Sequence, residues 1–325
     1  MEYDGIINIR KEAGMTSHDV VGKVRKILKM RRIGHTGTLD PMATGVLPVC
    51  AGRSARIVEF LDLDHKVYHC TMRLGIETET RDVWGTPLKE ASAEEIDRIG
   101  EEDVRRALSA FTGTIRQTPP LYSAVKVNGK RLYEYAREGK PVEIPDRTVV
   151  IYDLAITDLN LGRGKESTVT FDIECSKGTF IRSICHDAGR RLGVGAAMAA
   201  LTRTRTGIFR IEDAVTLDEL RDMEPEEIWG ILTPCDAPLT YFGTALFQPD
   251  DAVRFINGLV IPAGNAEIQS EPEYAGDCPE WVRQEFTRAY RVYSNGCFVG
   301  IAYRTEEDGM KPAKVFARGG DIVTV

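Results

Sequence analysis

No stretch of this 325-residue sequence is apolar for long enough to cross a bilayer, which takes about 20 consecutive apolar residues. The opening Met1-Glu2-Tyr3-Asp4 has neither the basic start nor the apolar run of a secretory signal. Both absences point to a cytoplasmic protein with no membrane partner. Cysteine is scarce and unpatterned: seven residues, at positions 50, 70, 175, 185, 235, 278 and 297, nowhere spaced C-x-x-C. That argues for packing thiols in a reduced compartment, and against a disulfide framework, a zinc site or a redox dithiol. The sequence also lacks a glycine-rich phosphate cradle, a metal-ligand cluster, internal repeats and low-complexity tracts. Positive charge is in deficit, with 42 Lys and Arg against 49 Asp and Glu. On bulk charge alone, a nucleic-acid partner is disfavoured.

The distribution of charge reverses that inference. Residues 1–60 hold ten Lys/Arg against six Asp/Glu, and residues 176–210 hold seven against one Asp. Acidic residues gather elsewhere, from Glu90 to Asp103 and from Glu212 to Glu227. A local basic face governs binding to a polyanion, whatever the net charge. The competing reading of such a face is an ordinary solvated helix surface.

The length suits two domains, and the texture of the chain places a boundary near residues 240–248. Asp4 to Arg10 reads as a strand. Ser17 is the expected N-cap of an amphipathic helix with Val20, Val21, Val24, Ile27 and Leu28 at helical spacing and a basic outer face. A shaped loop follows, then a helix over 54–62 and a strand from Val67 to Leu74. One or two acidic helices cover 93–110, and a basic loop spans Gln117 to Arg131. Thr148 to Leu161 pairs with Ser167 to Cys175 across a glycine turn. A helix from Thr179 ends at Gly193, and a strand covers Arg203 to Ile211. Short β-type runs then continue to the C-terminus.

One loop draws the chemical question. Asp40 stands in Thr38-Leu39-Asp40-Pro41, flanked by Gly34, Gly37 and Gly45. Proline fixes its own φ and pushes the preceding residue out of the helical region, so this carboxylate has a set position. It suits a nucleophile or a base, although an isolated Asp-Pro is most often just a turn. Spacing alone leaves the choice open.

The run from Gly34 to Val49 closely resembles the catalytic motif of the TruB family of tRNA pseudouridine synthases. Three further blocks follow in the family's order: Thr118 to Lys126 with Gly129 to Glu134, Cys175 to Ser183, and Leu201 to Thr204. The resemblance implies an α+β main domain over residues 1–240, a mixed, largely antiparallel sheet carrying helices. It implies a small β-barrel-like PUA domain over 245–325, although the match there rests on position and β-texture. The implied activity is isomerisation of uridine 55 in the T-arm of tRNA, by flipping out the base, breaking its N1 bond to the ribose and rejoining it through C5. Family members use no metal and no cofactor.

By the same resemblance, Asp40 is the catalytic carboxylate. It either attacks C1′, as carboxylates do in retaining glycosidases, or removes the 2′ proton. Tyr68 stacks on the flipped uracil, and its hydroxyl is a candidate for proton transfer. Arg182 pairs with Asp40, a task suited to a planar guanidinium that never loses its proton. Phe180 stands where many relatives have tyrosine, so a hydroxyl is missing there. Leu201 lines the uracil pocket, and His35 contacts the RNA as a substrate ligand, not as an acid or base. Lys126, Lys130 and Arg131 suit phosphates of the T-arm. Arg283, Arg288, Arg291, Arg304, Lys311, Lys314 and Arg318 suit the acceptor stem. No obligate protein partner is expected. Two other readings compete: a guide-RNA-dependent relative, and an RNA-binding or tRNA-folding module with incidental activity.

Overall fold

The computed structural model describes residues 3–63, 65–273, 288–318, 320 and 322. Asp64, Cys278 and Arg283 lie outside the described residues.

Strand β1 (Gly5–Lys11) buries six of its seven residues, the mark of a strand covered on both faces. Helix α1 (Ser17–Leu28) turns Val20, Val21, Val24 and Leu28 inward. Its N-cap is Thr16, not Ser17: the Thr16 hydroxyl accepts from the Asp19 amide at 3.1 Å, and the Asp19 carboxylate accepts from the Thr16 amide at 2.8 Å. Both residues suit a cap, but only Thr16 has an acid three positions on, which completes the reciprocal box. Strands β2 (Ile33–His35) and β3 (Thr44–Ala51) follow. The helix expected over 54–62 is instead two short 3-10 segments, Gly52–Arg56 and Val58–Leu63. The first is pinned where the Ser54 amide and hydroxyl both donate to Asp4, at 2.9 and 2.8 Å.

Strand β4 (Lys66–Leu74) alternates inward and outward along its length. A hairpin of β5 (Ile76–Thr78) and β6 (Pro87–Glu90) leads to the acidic helices α2 (Ala93–Asp97) and α3 (Glu101–Ser109), then to β7 (Gly113–Gln117). The basic loop beyond it carries only a small hairpin, β8 (Lys126–Val127) with β9 (Lys130–Arg131), and the short helix α4 (Leu132–Glu138). The long pair β10 (Arg147–Asn160) and β11 (Thr168–Cys175) precedes α5 (Ile181–Leu192), which Gly193 ends at φ 81°. The strand expected over 203–211 starts earlier and stops sooner. It is β12 (Ala196–Thr206), and Gly207, at φ 53°, turns the chain back as β13 (Phe209–Arg210).

These strands form one nine-stranded sheet in the order β1-β3-β12-β4-β11-β10-β7, with β2 on β3 and β13 on β12. Every pairing in it is antiparallel except β12 with β3. The main core lies between this sheet and α1, α3 and α5. After α6 (Leu217–Asp222) and α7 (Pro225–Gly230), the chain builds a second sheet. Its elements are β14 (Gly243–Phe247), α8 (Pro249–Ile256), β15 (Ile261–Pro262), β16 (Ala266–Ser270), β17 (Ala289–Ser294), β18 (Cys297–Arg304) and β19 (Gly309–Val315). The strand order is β15-β19-β18-β17-β14-β16. Ile6, Val46 and Phe60 of the first sheet's side share a buried apolar layer with Phe242, Ile301 and Phe316. Among the described residues no helix is long and apolar enough to cross a membrane.

Candidate active site

Asp40 sits on the loop between β2 and β3, and the chain holds it from both sides. On one side the Ser17 hydroxyl accepts from the Leu39 amide at 2.9 Å and lies 3.2 Å from the Leu39 carbonyl, to which it donates. This is what Ser17 does in place of capping. On the other side the Lys11 ammonium donates to the carbonyls of Pro41 at 2.9 Å, Ala43 at 2.6 Å and Glu12 at 3.0 Å. Leu39 is itself buried in the core. The carboxylate stands on a fixed backbone with its own side chain 36% exposed.

Arg182 rises from the first turn of α5 to meet it. Its side chain is 5% exposed. Nη2 donates to Oδ1 of Asp40 at 3.0 Å, and Nε lies 2.8 Å from Oδ2, close but off the N–H axis. The remaining donors go to the carbonyls of Thr80 at 2.9 Å and Tyr122 at 3.1 Å. A second carboxylate, Asp82, lies 3.8 Å from Nη1 and is 14% exposed. Burying a guanidinium is costly unless its fork is answered, and here two acids and two carbonyls answer it.

Two grooves meet at Asp40. One, of about 780 Å³, is lined by His35, Tyr68, Phe180, Leu201 and Arg203, among others, and carries Lys66, Arg147, Lys177, Arg182 and Arg203 against Asp40 as its one acid. The other, of about 830 Å³, runs past Met42, Trp84, Tyr122, Arg131, Tyr133 and Arg137. His35, Asp40 and Arg182 line both. Each volume falls in the range of a small-ligand site, and the first is strongly cationic in a chain of net charge −7.

The structure therefore brings together Asp40, Tyr68, Arg182, His35, Phe180 and Leu201. Burial pushes the Tyr68 hydroxyl up to about 12, while the neighbouring Arg203 pulls it the other way. Burial, then Arg203 and His18, hold the His35 imidazole below its ordinary value, which favours the neutral ring. Its buried Nδ1 has no partner among the described residues. Phe180 starts α5, where the Gln117 side chain donates to its carbonyl at 3.1 Å and accepts from its amide at 2.8 Å. Of the three basic loop residues, only Arg131 lines a groove. Lys126 is exposed and lines neither. Lys130 pairs with Glu138 and lies 5.0 Å from the Tyr135 ring centroid. In the second sheet Arg304 is held by Asp308 at 2.8 Å, Arg288 by Glu306 at 3.5 Å, and Lys314 by Glu59 at 2.7 Å. Arg291 donates to the Thr244 hydroxyl at 3.1 Å.

Besides the groove cations Lys66 and Arg147, three residues that bear on Asp40 or its loop were not singled out in the sequence. Arg203 is 1% exposed and donates to the carbonyls of Val46 at 2.7 Å and Gly37 at 3.3 Å. It faces Gly45, whose φ of 100° and 2.2 Å approach of a Cβ to the Arg203 carbonyl admit only glycine. Its place beside Leu201 in a motif block was the available signal. Asp82 had no signal of its own. Lys11 reads as a strand residue, yet it is fully buried beneath the Asp40 loop.

Burial pushes the Lys11 ammonium down to about 8, against the pull of Asp40. The sign follows from linkage. The unfolded chain keeps this proton to a higher pH than the folded one. The cost of the buried charge is present in full below about pH 8 and is relieved as pH rises towards the ordinary lysine range. A neutral amine, however, has only two hydrogens for three carbonyls. The rate of the reaction is expected to fall about 3–10-fold above pH 8 while the thermal midpoint does not fall. Parallel loss of rate and thermal midpoint across that limb would refute the assignment, as would persistence of the limb in Lys11→Met.

Comparison with known proteins fits this geometry. Residues 25–181 match the TruB family pseudouridylate synthase N-terminal domain, and residues 182–240 match the tRNA pseudouridylate synthase B C-terminal domain. The tRNA pseudouridine synthase B of Alkaliphilus oremlandii is 43% identical over 96% of this chain and 97% of its own length. That of Clostridium tetani is 44% identical over 96% and 99%. A Cbf5-Nop10-Gar1 complex contains a chain that superposes with a TM-score of 0.72 at 25% identity, over 99% of this chain and 87% of that one. A chain of an archaeal box H/ACA sRNP Nop10-Cbf5 complex gives 0.71 at 24%, over 99% and 88%. The mixed sheet with its helices is the pseudouridine synthase fold, and the curled second sheet is PUA-like. The family models and the curated relatives place the chain among pseudouridine synthases, a class of RNA isomerase. The chain belongs to the TruB family of tRNA pseudouridine synthases.

Proposed function

We propose that this chain converts uridine 55 in the T-arm of tRNA to pseudouridine, with Asp40 as the catalytic carboxylate. The observation that carries the reading is the pair of the buried Arg182 with the partly exposed Asp40 at the meeting point of two grooves, one of them lined by five Lys/Arg side chains. A phosphate backbone is drawn to such a lining, and the base it carries must leave its stack to reach a recessed carboxylate. Tyr68 and Phe180 offer rings beside the uracil, Leu201 an apolar wall, and the neutral His35 a contact where the nucleotide departs from the loop. Arg131 lies on the route of the adjoining strand. The N1–C1′ bond breaks and a C5–C1′ bond forms; the proton lost from C5 is matched by one gained at N1. No oxidant or energy source is needed. The carboxylate acts either as a nucleophile at C1′ or by taking the 2′ proton, and both routes use the same placement of Asp40. Residues 1–240 form the catalytic domain in this reading, and residues 245–325 an RNA-binding domain that meets the acceptor stem.

The test is a single-turnover assay on an unmodified T-arm stem-loop, without added protein, guide RNA, metal or cofactor. Pseudouridine at the target position is expected from the wild type. No product on the stem-loop, with product once a guide RNA and partner proteins are added, would transfer the chain to the guide-dependent reading.

A further inference from the structure

Residues 23–32 carry six cations, Lys23, Arg25, Lys26, Lys29, Arg31 and Arg32, and no acid, in a chain whose net charge is −7. All but the half-buried Arg25 are exposed. Among the described residues none of the six is in an ion pair; Arg25 donates to the Ile33 carbonyl at 3.0 Å, and Lys23 lies 4.0 Å from the Met15 sulfur. Lys29 ends α1 in the left-handed region at φ 53°, which folds Arg31 back beside the last turn. A shallow depression of about 350 Å³ results, lined by Arg25, Lys26, Lys29, Met30 and Arg31. Cations in a last helical turn favour the helix dipole, but that accounts only for Arg25 and Lys26. Lys29, Arg31 and Arg32 lie beyond the helix and repel one another until an anion arrives.

The position of this patch ties it to the active site twice. α1 begins at Ser17, bonded to Leu39 beside Asp40, and its 12 residues put the basic end roughly 18 Å away. From Arg32 the chain enters β2 and reaches His35, on the cleft lip, in about 10 Å. The patch has no aromatic ring, so it suits phosphates and not bases. We propose that the basic end of α1 is a second RNA contact that grips the phosphate backbone of the helical stem carrying the target loop. The proposal rests on the tRNA reading above and adds a surface outside the cleft.

The test uses full-length protein with Lys26→Gln, Lys29→Asn, Arg31→Gln and Arg32→Gln combined; asparagine keeps the left-handed cap accessible. Affinity is measured for two unmodified RNAs, the loop on its full stem and the same loop on a stem cut to about two base pairs. For the full stem a loss of roughly 10–30-fold is expected, with a salt slope shallower by about 2–3. For the short stem the loss is expected to stay under about twofold, and the single-turnover rate at saturating RNA to be unchanged on both. Equal loss on both RNAs, or none on either, would overturn the proposal. So would binding of anionic phosphatidylserine vesicles that the variant loses while its RNA affinity stays intact. Should the fourfold variant fail to fold, Arg31→Glu alone carries the same comparison. A wild type that binds the full-stem RNA but makes no pseudouridine would refute the functional reading, and the two affinities would still decide the patch.

Discussion

Replacing Asp40 with asparagine is expected to lower single-turnover pseudouridine formation by at least about 10⁴-fold, or roughly 5.5 kcal/mol of transition-state stabilisation. Asparagine has the same shape, and its amide oxygen still accepts from Nη2 of Arg182, now at 3.0 Å from Oδ1. What it lacks is the charge and the lone-pair basicity that either bond formation at C1′ or removal of the 2′ proton requires. Substrate affinity is expected to stay within about threefold, because in the proposed binding mode the phosphates are drawn to the groove cations, Lys66, Arg147 and Lys177 among them, and not to the carboxylate. Asp40→Glu sharpens the result. It keeps the charge but advances it by one methylene on a backbone that Ser17 and Lys11 hold still, and a displacement of about 1 Å is worth roughly 10²-fold. Filter binding beside quench-flow on the same tRNA gives both quantities. An affinity loss in Asp40→Asn as large as the rate loss would remove Asp40 from the chemistry and make it a binding residue.

The residues that announce themselves in the sequence are those whose local pattern carries the information. β1 is an apolar run, α1 has a four-residue apolar stripe, and β10 and β11 alternate on either side of a glycine turn. The motif blocks likewise mark Asp40 and Arg182, which lie 142 residues apart in the chain yet are hydrogen-bonded to one another. Nothing in the neighbourhood of either residue says that they touch. That juxtaposition comes from β12 crossing beside both β3 and β4, with α5 packed over it.

Where local pattern and tertiary demand diverge, the sequence misleads. Ser17 is a good cap by residue type, but the acid at 19 selects Thr16 and leaves Ser17 free to hold Leu39. Lys11 ends a strand as any exposed lysine might, and only the carbonyls of the Asp40 loop above it explain its burial. Arg203 lies within a strand of alternating Thr and Arg, and its inward direction is set by the sheet register opposite Tyr68. Asp82 needs Arg182 from a distant helix before it has a role. In the basic loop, nothing local announces that Lys130 pairs with Glu138, eight residues on. Side-chain competition of this kind has no signature in composition.

Arg182→Lys is expected to cost about 10²–10³-fold in rate and about 2–3 kcal/mol in stability, although the substitution preserves the charge. The guanidinium serves four acceptors from three nitrogens: the Asp40 carboxylate, the carbonyls of Thr80 and Tyr122, and the flank of Asp82. A lysine ammonium is a single point on a flexible stem. If it follows Asp40, the Thr80 and Tyr122 carbonyls lose their guanidinium donor, at up to about 1–3 kcal/mol for each group left unsatisfied. If it serves the carbonyls, Asp40 loses its fixed direction, and the loop and the α5 terminus no longer share a common anchor. Either way the rate at saturating tRNA should drop far more than the affinity, since the phosphate-facing cations are untouched. The informative measurement is the split between KM and kcat, taken beside thermal unfolding of the same variant. A variant with lowered thermal midpoint but full kcat would make Arg182 a structural tie and nothing more. A variant with a large kcat loss at temperatures well below its midpoint would show that the guanidinium fork is what holds the carboxylate in its working direction.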